Sequence, residues 1–157
     1  FRPFAPSILK DDLLEWFDIK IESPYMLMVA KVNPKKTNQM SEEEKKLFGI
    51  DRLNIKRSEI PAVTHVDYSA RIQTVCGKTN SRYFKLLEGF KTKTGCPVVV
   101  NTSFNIRGEP IVNTPTEAFN CFMGTELDVL AIGNCYLDKK NQKKNLKNNY
   151  ISNFELD

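Results

Sequence analysis

Two observations in the sequence predict a mixed α/β (α+β) protein, a twisted mixed β-sheet flanked by helices in a single domain. Runs of strand length rich in β-branched residues recur along the chain, at Tyr25–Val32, Ala62–Val75, Pro97–Val100 and Val129–Leu137. Between them lie amphipathic stretches with helix start and stop signals, and such alternation places helices against a sheet.

Taken in order, Ser7 is placed to cap a helix through Phe17, with Ile8, Leu9, Leu13, Leu14 and Phe17 near helical spacing. Ser23-Pro24 breaks that pattern. Tyr25–Val32 is a near-continuous apolar run, which predicts a buried central strand. Asn33–Ile60 is polar and reads as a surface excursion; within it Ser41 and Glu44 have the spacing of a capping box before a short helix that ends at Gly49. Ala62–Val75 predicts one or two strands with a break near Asp67–Ser69. Asn80 or Ser81 caps a helix through Thr94, whose apolar face is Tyr83, Phe84, Leu86, Leu87 and Phe90, and Gly95 stops it. Val98–Val100 predicts a short buried strand. Thr114-Pro115-Thr116-Glu117 combines a cap, a proline at the first helical position and the reciprocal glutamate, so a helix runs from there to Met123. Val129–Ile132 and Cys135–Leu137 flank Gly133-Asn134 and predict a final hairpin.

Composition narrows the function classes. With 157 residues, 41% of them hydrophobic and 27% charged, the chain is too apolar to be disordered and long enough for a core. No apolar run approaches the ~20 residues of a membrane helix. The opening residues lack the pattern of a secretory signal. They also lack an initiator methionine, which reads as a piece of a longer chain. A cytoplasmic setting follows, and in a reducing compartment Cys76, Cys96, Cys121 and Cys135 read as small buried hydrophobes. None of the four forms a C-x-x-C pair, and His65, the one histidine, is near none of them, so no permanent metal site is predicted. The net charge of +4 comes largely from the lysines of residues 139–147, read as a basic, flexible tail over 139–157; nucleic acid is not an expected partner.

The candidate chemistry sits after Val98–Val100. Asn101, Thr102, Ser103 and Asn105 cluster hydroxyls and amides at the mouth of a loop. Gly108 permits a turn or a close approach, and Arg107 can pair with phosphate. Such loops at strand ends are where α/β sheets hold ligands, although the same residues can simply satisfy a polar turn. His65 and Asp67, two apart on a strand, would share a face and could pair. Phe84, Phe90, Phe119 and Phe122 read as core.

The stretch Val98-Val-Val-Asn-Thr-Ser-Phe-Asn-Ile-Arg-Gly-Glu-Pro-Ile111 with Asn113–Phe119 resembles the C-terminal domain of the O-carbamoyltransferases that modify antibiotics and nodulation factors. So do Phe1-Arg-Pro-Phe-Ala-Pro-Ser-Ile-Leu9, Ser23–Met26, His65-Val-Asp67 and Ala70-Arg-Ile-Gln-Thr74, in the family's order over residues 1–138. Thr102–Pro110 is similar to the Thr-Ser-x-Asn-x-x-Gly-x-Pro motif of the YrdC/Sua5 fold, so the resemblance implies a YrdC-like domain.

The resemblance implies a domain that binds carbamoyl phosphate and ATP with Mg2+ and forms carbamoyl-adenylate, for transfer to a substrate hydroxyl by a separate amino-terminal Kae1-like domain. It implies catalytic roles for Arg71, Ser103 and Asn105. Arg2, Asn101, Thr102, Arg107 and Gly108 join Ser103 and Asn105 in holding substrate and nucleotide. The family carries a Lys-x-Arg segment just upstream of the stretch that begins at Phe1, so this piece alone is expected to be weak or inactive. Two other readings are an RNA- or polyanion-binding module and a structural domain without catalysis.

Overall fold

The computed structural model describes residues 4–143 together with Tyr150 and Phe154. Arg2, Lys144 and Lys147 lie outside the described residues. The fold is mixed α/β, and the chain divides into two compact units, Phe1–Thr102 and Ser103–Asp157.

The first unit is built on a four-stranded mixed sheet. Its strands are β1 (Ala5–Leu9), β2 (Met28–Lys31), β3 (Ser69–Val75) and β4 (Val98–Asn101), in the order β2-β3-β1-β4. β1 runs parallel to β3 with Ser7 beside Gln73, and antiparallel to β4 with Ser7 beside Val99 and Ala5 beside Asn101. β2 runs antiparallel to β3 with Val29 beside Arg71. Because side chains alternate along a strand, this register sorts the unit into two faces. Ile8, Ala70, Ile72 and Val98 point to one face and join Leu13, Trp16, Phe17, Val32, Ile60 and Val63 in the main core. Leu9, Val75 and Val99 point to the other, where Leu87, Tyr83 and Phe84 of helix α3 (Ser81–Thr94) cover them. Asp12 anchors that helix, accepting hydrogen bonds from Lys91 Nζ at 2.7 and 2.9 Å.

α3 starts and stops where its residues dictate. Asn80 accepts from the Tyr83 backbone N–H, and Gly95 takes a left-handed φ of 76° that closes the last turn. Leu87 is fully buried, but Leu86 and Phe90 of the expected apolar face are exposed. The first helix departs further from expectation. Ser7 lies within β1, not at a helix cap, and only α1 (Leu13–Trp16) is helical, after a 3-10 turn over Lys10–Asp12. Burial on both faces suits an extended Pro6-Ser7-Ile8-Leu9 better than a helix exposed on one side. Tyr25–Val32 is also corrected. Only Met28–Lys31 is strand, it sits at the sheet edge, and Tyr25, Leu27 and Val29 are exposed. β4 is likewise an edge strand, with Val100 exposed.

In the surface excursion the Ser41–Glu44 box forms in both directions, at 2.8 and 3.2 Å, ahead of a 3-10 turn over Glu44–Lys46. Gly49 begins a second helix, α2 (Gly49–Leu53), where the sequence reads a stop. The break expected near Asp67 is present, but the stretch before it is a 3-10 turn, Pro61–Val63, and not a strand.

The second unit contains helix α4 (Pro115–Gly124) and the hairpin β5 (Val129–Ile132) and β6 (Cys135–Asp138). Thr114 and Glu117 cap α4 reciprocally. Ala118, Phe122, Met123 and Leu130 form its core, with Phe104, Phe119, Ile132 and Leu137 packed around them. Tyr150 is buried against Gly124, leaving no room for a Cβ there, and its hydroxyl donates to Glu109 Oε1. Of the expected tail, Lys139–Asn141 forms a 3-10 turn. The cysteines are not uniformly buried: Cys121 is, Cys76 and Cys96 are half-buried, and Cys135 is exposed on the hairpin.

Candidate functional site

On the face of the first unit's sheet that α3 covers, polar side chains follow Leu9, Val75 and Val99. Gln73 and Ser7 are neighbours across β3 and β1. Two residues earlier on the same face stand Arg71 in β3 and Ala5 in β1, and Ala5 pairs with Asn101 of β4. Arg71 and Asn101 thus lie on the face that carries Gln73, with Arg71 beside Val29 of β2 and Asn101 beside Ala5 of β1. Ala5 itself is buried. Arg71 is exposed and Asn101 half-buried.

Gln73 ties this surface together. Its Oε1 accepts from Ser7 Oγ at 2.7 Å and from Asn101 Nδ2 at 2.6 Å, while its Nε2 donates to the Pro24 carbonyl at 3.1 Å. Arg71 and Asn101 were both expected at a site, and the register brings them to one face. Gln73 is a residue that the sequence reading misses. Its signal was the alternation in Ala70–Val75, which puts it on the same side as Arg71. Thr102, last in this unit, is exposed.

In the second unit the expected loop is a closed turn. Asn105 Nδ2 donates to the carbonyls of Ile106 and Glu109 at 2.9 and 3.1 Å. The buried Glu109 carboxylate accepts from the Ile106 backbone N–H at 2.9 Å, and Glu109 N donates back to the Ile106 carbonyl. Gly108 takes a left-handed φ of 81°, which its lack of a Cβ allows without strain. Asn105 therefore keeps only its Oδ1 for a ligand. Ser103 and Arg107 are exposed.

His65 and Asp67 do not pair directly. A turn joins them, with His65 accepting from Tyr68 N, and Ser69 stands between. Ser69 Oγ donates to Asp67 Oδ1 at 2.6 Å and so accepts from His65 Nδ1 at 3.0 Å, which assigns the ring proton to Nδ1. The Ser69 hydroxyl first, then Lys31 Nζ at 2.9 Å, hold the Asp67 carboxyl well below the usual carboxylate range. Cavities of about 470 and 660 Å³ open elsewhere on this unit. The larger is lined by Phe4, Leu53, Arg57 and His65, and neither is lined by Arg71, Gln73 or Asn101. Among the described residues no three of His, Cys, Asp and Glu converge as a metal site. No described helix is long and apolar enough to cross a membrane.

A family model described as the carbamoyltransferase C-terminus matches residues 1–139. The chain belongs to the carbamoyltransferase C-terminal family. An uncharacterised protein of Synechocystis is 51% identical to it over 158 residues, all of this chain and 26% of that protein. The nodulation protein NolNO of Sinorhizobium fredii is 39% identical over 89% of the chain and 18% of its own length. The 3'-hydroxymethylcephem-O-carbamoyltransferase of Amycolatopsis lactamdurans is 34% identical over 72% of the chain and 18% of its own length. The chain thus spans about a fifth to a quarter of these relatives. All of β1 to β6 falls within the carbamoyltransferase C-terminal match, so the face that carries Arg71 and Asn101 and the Asn105–Glu109 turn are both features of a chain in this family.

Proposed function

We propose that the chain is the part of an O-carbamoyltransferase that takes carbamoyl phosphate and ATP–Mg2+ and makes carbamoyl-adenylate. Water cleaves carbamoyl phosphate to carbamate and phosphate. A carbamate oxygen then attacks the α-phosphorus of ATP, and pyrophosphate leaves. A separate Kae1-like domain passes the carbamoyl group to a hydroxyl, with AMP released and the hydroxyl proton lost to base.

The observation that carries this reading is the placement of Arg71 and Asn101 on one face of one sheet, in a chain of this family. Arg71 supplies a cation for phosphate, and Asn101 supplies an amide for the carbamoyl end. Charge grows on phosphoryl oxygens during both steps, and fixed cations and N–H or O–H donors stabilise it there. Exposed Ser103 offers such a donor, and Asn105 offers an acceptor through Oδ1. Thr102, Arg107 and Gly108 are assigned to the nucleotide in the same reading, and so is Arg2.

Isothermal titration of the full-length protein with carbamoyl phosphate and with ATP–Mg2+ tests the proposal. Saturable binding of both is expected. A failure to bind either one overturns it. Turnover unchanged by Arg71→Ala and Ser103→Ala would point instead to a domain with a structural role only.

A further inference from the structure

Gln73 has a position that the reading above leaves unused. Its two ends can be told apart by their partners. The Pro24 carbonyl can only accept, so the end that meets it is Nε2. The other end is therefore Oε1, which can only accept, and both Ser7 and Asn101 must turn donors toward it. Asn101 presents Nδ2 there, and its Oδ1 is directed elsewhere. No described residue donates a hydrogen bond to that oxygen.

The anchor of this arrangement is itself built. Ser23 and Thr74 exchange hydrogen bonds at 2.9 and 3.0 Å, and Ser23 Oγ accepts from Leu27 N and Met28 N. Those contacts hold Pro24 against β3 on the residue next to Gln73. Ser7, fully buried, holds the other side. Gln73 thus has one orientation available, and it imposes one on Asn101.

We propose that Gln73 is a positioning residue that locks Asn101 with its carbonyl oxygen toward the ligand, so that the site selects a carbamoyl phosphate over an acetyl phosphate. The proposal rests on the carbamoyl phosphate reading given above. The two ligands differ by an NH2 in place of a CH3. The amide NH2 donates to Asn101 Oδ1, whereas the methyl leaves that acceptor facing apolar hydrogens. A site built to hydrogen-bond one group rejects the analogue that lacks it, because its own polar atom is left unpaired. An unlocked Asn101 can instead turn its Nδ2 to the ligand and gives up that discrimination.

The test is a titration of the full-length protein, without ATP, with carbamoyl phosphate and acetyl phosphate in parallel. Wild type is expected to favour carbamoyl phosphate at least tenfold. Gln73→Met, similar in length and unable to orient the amide, should bring that ratio toward one. Adding Asn101→Asp to Gln73→Met should restore the ratio, since a carboxylate offers an acceptor in either orientation and its charge weakens both ligands alike. A merely structural role for Gln73 would lower both affinities and leave the ratio intact. Asn101→Leu with Gln73 intact repeats the test should Gln73→Met not fold, and the ratio should again approach one. A wild type that binds carbamoyl phosphate without preference overturns the proposal alone, as does a ratio unmoved by Gln73→Met or Asn101→Leu. A wild type that binds no carbamoyl phosphate overturns the functional reading beneath it.

Discussion

At Asp67 one carboxylate serves three partners, the hydroxyl and backbone N–H of Ser69 and the ammonium of Lys31. Its ionised form is favoured in the folded protein, so its stabilising contribution is fully present above its ordinary value of 3.8 and is lost as pH falls through the lower, folded value. Asp67→Asn should therefore flatten the acid limb of a stability-against-pH curve below 3.8. An unchanged limb in urea melts would show that these bonds carry no net weight, and the partial exposure of the pair keeps the effect small. Gly124 is a second sensitive position. A Cβ there would overlap Tyr150 Cβ, so Gly124→Ala must expel the ring and break its bond to Glu109. A loss of about 1–3 kcal/mol is expected, as for other overpacked sites, read as a lower urea midpoint. No shift would mean that Tyr150 does not hold the second unit together.

Among elements, α4 is the one whose start is most fully specified by its own residues. Thr114 Oγ1 accepts from Glu117 N at 3.2 Å, and Glu117 Oε2 accepts from Thr114 N and Asn113 N at 2.9 and 2.8 Å. The Asn113 and Thr114 N–H groups hold the Glu117 carboxyl below its ordinary value. Thr114→Ala should cost about 1 kcal/mol, and Thr114→Ser much less, in thermal melts followed by circular dichroism. Equal losses in the two variants would remove the cap as the cause. Local signals of this kind were legible elsewhere too. Asn80 and Gly95 bracket α3, and Gly133-Asn134 turns the last hairpin. β1 was not legible, because Ile8, Leu9 and Leu13 fit helical spacing as well as a strand's buried run. Only the pairing of Ser7 with Gln73 and Val99 decides between them. β2 misled for the opposite reason: apolar residues at a sheet edge look like a core strand until their neighbours are known.

For the whole molecule, the split between stability and binding is the decisive property of Arg71. It lies exposed on a central strand whose other face is core, so removing it should leave the fold nearly intact. Arg71→Leu is expected to change stability by no more than about 0.5 kcal/mol, as for other surface sites. Carbamoyl phosphate affinity should fall by about tenfold or more, the scale of a charge-assisted hydrogen bond. A large stability loss without a binding defect would make Arg71 structural. The sequence by itself determined the mixed α/β class, the caps of α3 and α4, the final hairpin and the membership of a carbamoyltransferase family, because each is written in residues close in the chain or in a colinear motif. Tertiary structure alone decided that β1 is a strand between β3 and β4, that Asn105 is bound into its own turn, and that Gln73 orients Asn101. These depend on partners such as Ser7, Gln73 and Asn101, which lie 66 and 28 residues apart in the chain and meet only through strand register.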